Sequence, residues 1–96
     1  MKYDICVFGE CSLDEMFYQN GSGKYSEAAD VRIPGGKGSN QAAATAKAGS
    51  KVVVLSIVGN DFIGKYIIEN LQKYNIDTSY IEMVDGLKND VSKKYI

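Results

Sequence analysis

Asp14 and the run Gly35-Gly36-Lys37-Gly38-Ser39-Asn40 are the residues of this sequence whose types and spacing could do chemistry. Glycines at 35, 36 and 38 remove the Cβ atoms that would hold a ligand away from the backbone, and they stand where a helix begins. A helix start aims free amide groups and the positive end of the dipole at one place, which suits hydroxyl or phosphate oxygens. An ionised aspartate adds the complementary function, two acceptor oxygens that can grip two neighbouring hydroxyls at once. Taken singly, each feature has a plainer reading: the glycine run as a tight turn and Asp14 as a solvated loop residue.

Other chemistries are excluded by composition. The 96 residues contain no histidine, which removes Ser-His-Asp and Cys-His nucleophile systems and the usual zinc sets. Cys6 and Cys11 lack a C-x-x-C spacing and read as reduced thiols, with Cys6 in the core. The balance of 11 basic against 12 acidic residues gives no sign of a nucleic-acid or membrane partner. The longest apolar run, Val52 to Val58, is interrupted by Ser56 and is far shorter than the roughly 20 residues a bilayer crossing needs. Met-Lys-Tyr-Asp at the start leads directly into a strand-like run rather than a secretory signal, so a cytoplasmic location is expected.

The elements that must position these residues can be read in order. Tyr3 to Gly9 predicts a strand buried on both faces of a parallel sheet, and Glu10 to Asp14 follow where the carboxyl edge of an α/β sheet gathers function. Glu15 to Gln19 and Lys24 to Ile33 flank Asn20-Gly21-Ser22-Gly23, a turn signal that predicts a hairpin or arm. Ser39 to Ala48 is helical by propensity, and Gly49 stops it as a left-handed cap. Lys51 to Val58 predicts a β-branched strand, apolar on both faces. Asp61 is suited to cap a second helix reaching about Tyr74, with Ile63, Tyr66, Ile67, Asn70 and Leu71 at helical spacing and Asn75 as terminator. Ser79 to Val84 and Val91 to Ile96 read as further strands on either side of Asp85-Gly86.

This order predicts an α/β fold with right-handed parallel crossovers. Crossovers of one hand put both helices on one side, so an apolar sheet face is expected to be exposed and to favour self-association. The segment Gly59-Asn60-Asp61-Phe62-Ile63-Gly64-Lys65-Tyr66 fits a phosphate-loop pattern up to its last position, where Tyr stands in place of the Ser or Thr that would hold Mg²⁺. Asp61 as a helix cap explains those residues more simply.

With these features in place, the sequence closely resembles the amino-terminal part of the ribokinase-like (pfkB) carbohydrate kinases. The resemblance is carried by the strand to Gly9 followed by Asp14, by Gly35-Gly36-Lys37-Gly38-Ser39-Asn40-Gln41-Ala42, and by Val58-Gly59-Asn60-Asp61 with Gly64, in the family's order. It implies an α/β fold of incomplete ribokinase-like three-layer form, parallel strands with helices plus a small β lid. Residues 1–96 would be an amino-terminal fragment of one such domain, with lid segments at about 15–33 and 79–96.

The same resemblance implies substrate-binding roles. Asp14 would hold sugar hydroxyls, Gly36, Lys37 and Gly38 would bring backbone and an ammonium to the sugar, and Ser39 and Asn40 would complete the run. Ser12 stands where ribokinases proper often have asparagine, a departure that puts ribose itself in doubt because a hydroxyl reaches less far and offers fewer bonds than an amide. Lys93 and Lys94 occupy positions where the family tends to be apolar, so the last strand is either an edge or a departure from the pattern.

The implied activity is transfer of a phosphoryl group from ATP, with Mg²⁺, to a sugar or nucleoside hydroxyl. The family's catalytic aspartate lies in a Gly-Ala-Gly-Asp segment, and no Gly-x-Gly-Asp occurs in this sequence. The expectation is therefore the sugar-binding and lid portion of such a kinase, inactive alone, without a catalytic residue or cofactor of its own. Its expected partners are a sugar or nucleoside and a second copy, through the lid or the exposed sheet. A non-catalytic association or carbohydrate-binding module is the alternative. A dinucleotide-binding unit fails because Glu10-Cys11-Ser12-Leu13 follows Gly9 in place of further glycines.

Overall fold

A computed structural model describes residues 3–96, so the first two residues of the amino-terminal run lie outside the described residues. The elements are β1 (Ile5–Phe8), β2 (Ser12–Phe17), β3 (Val31–Gly35), α1 (Gly36–Lys47), β4 (Val52–Gly59), α2 (Phe62–Gln72), β5 (Ile81–Val84) and β6 (Val91–Tyr95). They form two three-stranded sheets, ordered β1-β4-β5 and β3-β2-β6. Among the described residues no helix is long and apolar enough to cross a membrane.

The first sheet is wholly parallel, with Ile5 opposite Val52 and Ser56 opposite Ile81. Its core lies on one face, where Val7, Val52, Val54 and Val58 join Ala42 of α1 and Ile67 and Leu71 of α2 in a single apolar cluster. Among the described residues the other face carries no helix, although Val53 of the central strand, opposite Cys6, is 4% exposed there. Side chains alternate along a strand, so Cys6 and Phe8 of β1 point away from that core, and Phe8 is 74% exposed and Ile57 57% exposed. This corrects two expectations, that β1 is buried on both faces and that Cys6 is a core residue. The physical reason is the one-sided crossover, which covers Val7 and leaves its neighbours bare.

Local signals set the helix ends. Asp61 caps α2 by accepting from the Gly64 amide at 2.9 Å, and Asn75 and Gly49 take the left-handed backbone (φ 59° and 94°) that ends each helical segment. A Cβ on Gly64 would overlap the Gly59 carbonyl oxygen, so close packing of the helix start on the strand end explains that glycine. Helix α1 starts earlier than propensity predicts, at Gly36, because the glycine run itself forms its first turn.

In the second sheet β2 pairs antiparallel with β3 and parallel with β6, which is an edge strand. The expected turn forms: Asn20 Oδ1 accepts from the amides of Ser22 and Lys24 at 2.9 and 3.1 Å. The strands do not run up to it, however: the Asp30 amide still donates to the Met16 carbonyl at 2.9 Å, but residues 24–30 are mostly exposed and β3 begins only at Val31. The carboxyl-terminal segment is divided: Ile81–Val84 extends the parallel sheet, and only Val91–Tyr95 joins β2 and β3. Leu13 and Phe17 (1% and 4% exposed) anchor β2, with Phe17 stacked on Tyr95 at 4.8 Å.

Candidate substrate site

Alternation along β2 sends Leu13 into the core and leaves Ser12 and Asp14 on the opposite face. Gly35 lies across the ladder from Ser12. A Cβ on Gly35 would stand 2.6 Å from Asp14 Oδ1 and 2.9 Å from Ser12 Oγ, so the absence of a side chain there is what lets the carboxylate sit against the backbone that enters α1. Gly36, at φ 80°, and Gly38 press on the end of β1: a Cβ on either would approach the Glu10 carbonyl oxygen to 2.7 and 2.8 Å. Three segments, the end of β1, the start of β2 and the first turn of α1, therefore meet at one point.

That turn is partly self-satisfied. The Glu10 carbonyl accepts from the Gly38 amide at 3.0 Å and from the Ser39 amide at 3.4 Å, so these two helix-start donors are engaged by the chain itself rather than left for a ligand. Ser39 is fully buried with its Oγ unpaired among the described residues. Lys37 and Asn40 are exposed, and Asn40 borders a shallow groove with Ile33, Pro34 and Ala43. Of the residues expected from sequence, the structure brings Ser12, Asp14 and Gly36 together, sets Gly38 and Ser39 beneath them on Glu10, and places Lys37 and Asn40 on the surface of the same helical turn.

Sequence reasoning named Gly35 in the glycine run but not its contact with Asp14, and it missed one contributor altogether. Lys94 Nζ lies 3.8 Å from Asp14 Oδ2, with the carboxylate side chain 17% exposed and the lysine 56% exposed. The lysine pair at 93–94 was visible as an anomaly, but its partner is fixed only by the parallel register, which sets Ser92 opposite Asp14 and Lys94 opposite Met16.

A groove of about 670 Å³ lies elsewhere, at the amino ends of β1 and β4, lined by Tyr3, Lys51, Val52, Tyr74 and Asp77 among others. Its acid is already committed. Ser79 and Tyr3 both donate to Asp77, holding its carboxyl below the ordinary 3.8, while the bond to Asp77, followed by burial, pushes the Tyr3 hydroxyl up to about 12. Ligands of α/β sheets gather at the carboxyl ends of strands, where Asp14 lies, so this groove reads as structural.

A parallel sheet with one-sided helices, a small second sheet and a carboxylate held against a glycine turn at the strand ends together describe an α/β sugar-kinase type of fold. Residues 2–92 match the pfkB family of carbohydrate kinases, and the chain belongs to that family. It is 38% identical over 97 aligned positions to the deoxyribokinase of Salmonella typhi, covering 97% of this chain and 32% of that protein. The ribokinase of Bacillus subtilis is also 38% identical, over 84% of this chain and 29% of its own length. Among solved structures, the PfkB protein from Polaromonas superposes with a TM-score of 0.84 at 25% identity, covering 99% of this chain and 32% of that one. An uncharacterized sugar kinase from Pyrococcus horikoshii, in complex with ATP, superposes with a TM-score of 0.72 at 30% identity over 90% of this chain and 28% of its own. The chain thus spans about a third of the length of the curated relatives it matches.

Proposed function

We propose that this chain is the amino-terminal sugar-binding and lid portion of an ATP-dependent carbohydrate kinase, with Asp14 as the group that grips the acceptor sugar. The observation that carries this reading is the seat of Asp14: its carboxylate rests against Gly35 and beside Ser12, at the start of the helix whose glycine turn closes on Glu10. A partly exposed carboxylate fixed on a strand offers acceptors in a set direction, which is what orienting one hydroxyl of a polyol requires.

The β3-β2-β6 sheet carries Asp14, so its movement against the parallel sheet would enclose the sugar and exclude water from phosphoryl transfer. The chain's own residues bind and orient the acceptor. ATP with Mg²⁺ supplies the phosphoryl group in this reading, and the segment from Gly59 to Tyr66 is not its cradle, because Gly64 packs on Gly59 and its amide is taken by Asp61. By the same reading the protein works in the cytoplasm on a sugar or nucleoside and forms no complex with nucleic acid or membrane. Without the Gly-x-Gly-Asp aspartate, the 96 residues alone are inactive.

The test is calorimetric titration of the chain with D-ribose, 2-deoxy-D-ribose, D-fructose and adenosine, repeated with Asp14→Asn. Saturable binding of at least one of these, lost in the variant with circular dichroism unchanged, supports the assignment. Binding that survives Asp14→Asn, or no binding at all, overturns it.

A further inference from the structure

Lys94 has no role in the reading above, yet it is the cation that faces Asp14. The separation of 3.8 Å between Lys94 Nζ and Asp14 Oδ2 exceeds the roughly 3.2 Å limit of a direct hydrogen bond. It is also short enough that one oxygen atom placed about 2.8 Å from each would fit against both. A sugar hydroxyl matches that position: it donates its proton to the carboxylate and accepts from the ammonium. A carboxylate or phosphate oxygen does not, since it would satisfy Lys94 while setting a second negative charge against Asp14.

We propose that Lys94 is a specificity-determining residue of this site, completing with Asp14 a paired acceptor and donor that reads a single hydroxyl of a neutral sugar. This rests on the assignment of Asp14 as the sugar-gripping residue. Two features of the fold support it. Asp14 and Lys94 belong to neighbouring strands of one sheet, β2 and β6 in parallel register, so the pair travels as a unit and is not a latch between the two sheets. The lysine is also more than half exposed, where an ion pair contributes little to stability, so its ammonium can exchange the carboxylate for a ligand hydroxyl at little cost. Met16 lies opposite Lys94 in the ladder, and Ile33 (38% exposed) lies opposite Asp14, giving apolar surface beside the pair for the carbon skeleton of a sugar ring.

The experiment compares D-ribose with its 2-, 3- and 5-deoxy analogues by calorimetry, on the wild-type chain and on Lys94→Met, with D-gluconate as the anionic probe. A hydrogen bond to a charged group corresponds to a loss of about tenfold or more in affinity when removed. Lys94→Met is expected to weaken D-ribose by about tenfold while leaving one deoxy analogue, the one that lacks the bridged hydroxyl, within about threefold of its wild-type affinity. Equal weakening of all the sugars, or no weakening, overturns the proposal, as does a Lys94-dependent preference for D-gluconate. If Asp14→Asn abolishes ribose binding but Lys94→Met leaves the whole pattern unchanged, the role of Lys94 falls and that of Asp14 stands. Absence of saturable binding of D-ribose and its analogues to the wild-type chain overturns the role of Lys94, and absence of binding of D-fructose and adenosine as well overturns both.

Discussion

Asn89 donates its side-chain amide to the Asp61 carboxylate at 2.7 Å, and that contact ties the start of α2 to the segment leading into β6. The same amide group also brackets the end of β4: Asn89 Oδ1 accepts from the Gly59 amide at 2.8 Å, and Nδ2 donates to the Gly59 carbonyl at 3.2 Å. Asn89 is only 7% exposed, so these groups are shielded from water that could replace it. One side chain thus fixes where the chain leaves the parallel sheet and where β6, with Lys94, enters the other.

Replacing Asn89 by alanine leaves the Gly59 amide buried without a partner, a loss of about 1–3 kcal/mol. Urea denaturation of Asn89→Ala should show a lower midpoint at an unchanged slope. A midpoint equal to wild type would mean that the clamp is not a stabilising element.

Gly35→Ala separates site geometry from stability. The added Cβ would meet Asp14 Oδ1 at 2.6 Å, and those atoms belong to side chains that can swing away. The backbone at Gly35 is extended (φ -119°, ψ -176°), which alanine adopts without strain. The expected outcome is a thermal midpoint close to wild type with sugar binding weakened at least about tenfold, because a displaced carboxylate no longer presents its acceptors in the same direction. Gly38→Ala is the contrast, since its Cβ would strike the backbone of Glu10 and Gly9 at 2.8 Å and should destabilise the fold as a whole. Equal behaviour of the two variants would show that the close approach at Gly35 has no special bearing on Asp14.

Much of this fold was legible because its signals are local. Asp61 begins a helix through its own carboxylate, Gly49 and Asn75 end helices through their left-handed backbone, and the β-branched run at Val52 to Val58 needs no distant partner to read as a strand. What the sequence left open depends on contacts between distant segments. Cys6 and Phe8 are as apolar as Val7, and only the shared side of α1 and α2 decides which of them is covered. Ser79 to Val84 and Val91 to Ile96 have comparable strand character, but their assignment to different sheets follows from the Asn89 clamp and from the registers against β4 and β2. At the candidate site, Asp14 and Gly36 could be named from residue type and Ser12 from the family resemblance, whereas Lys94 needed the parallel pairing of two strands far apart in sequence.

The bare face of the parallel sheet leads to a prediction about association. Phe8 and Ile57 lie on that face, with Leu55 between them in the ladder, and together they make an apolar patch of the kind that soluble monomers rarely leave in water. Sedimentation velocity should show a concentration-dependent shift toward dimers or larger species, reduced by Phe8→Lys with Ile57→Lys. Both side chains are already more than half exposed, so the substitutions remove little core. A wild-type chain that sediments as a monomer across the accessible range would refute self-association through this face.

The Tyr3–Asp77 bond gives a pH dependence whose sign differs at the two ends of the scale. Asp77 has its carboxyl held below the ordinary 3.8, so its contribution is present above that value and is lost as pH falls through the depressed one. The Tyr3 hydroxyl is raised from 10.0 to about 12, so its contribution is complete below 10.0 and is lost as pH rises through about 12. Tyr3→Phe removes the second effect entirely. It only weakens the first, because Ser79 still donates to Asp77 through its amide at 2.9 Å and its hydroxyl at 2.6 Å. Thermal midpoints of the wild type and Tyr3→Phe should therefore differ by a constant amount between about pH 5 and 9 and converge as pH approaches 12. On the acid side both should fall, the wild type having more to lose. A gap that stays constant into the alkaline range would show that the tyrosine contributes through packing of its ring and not through the bond to Asp77.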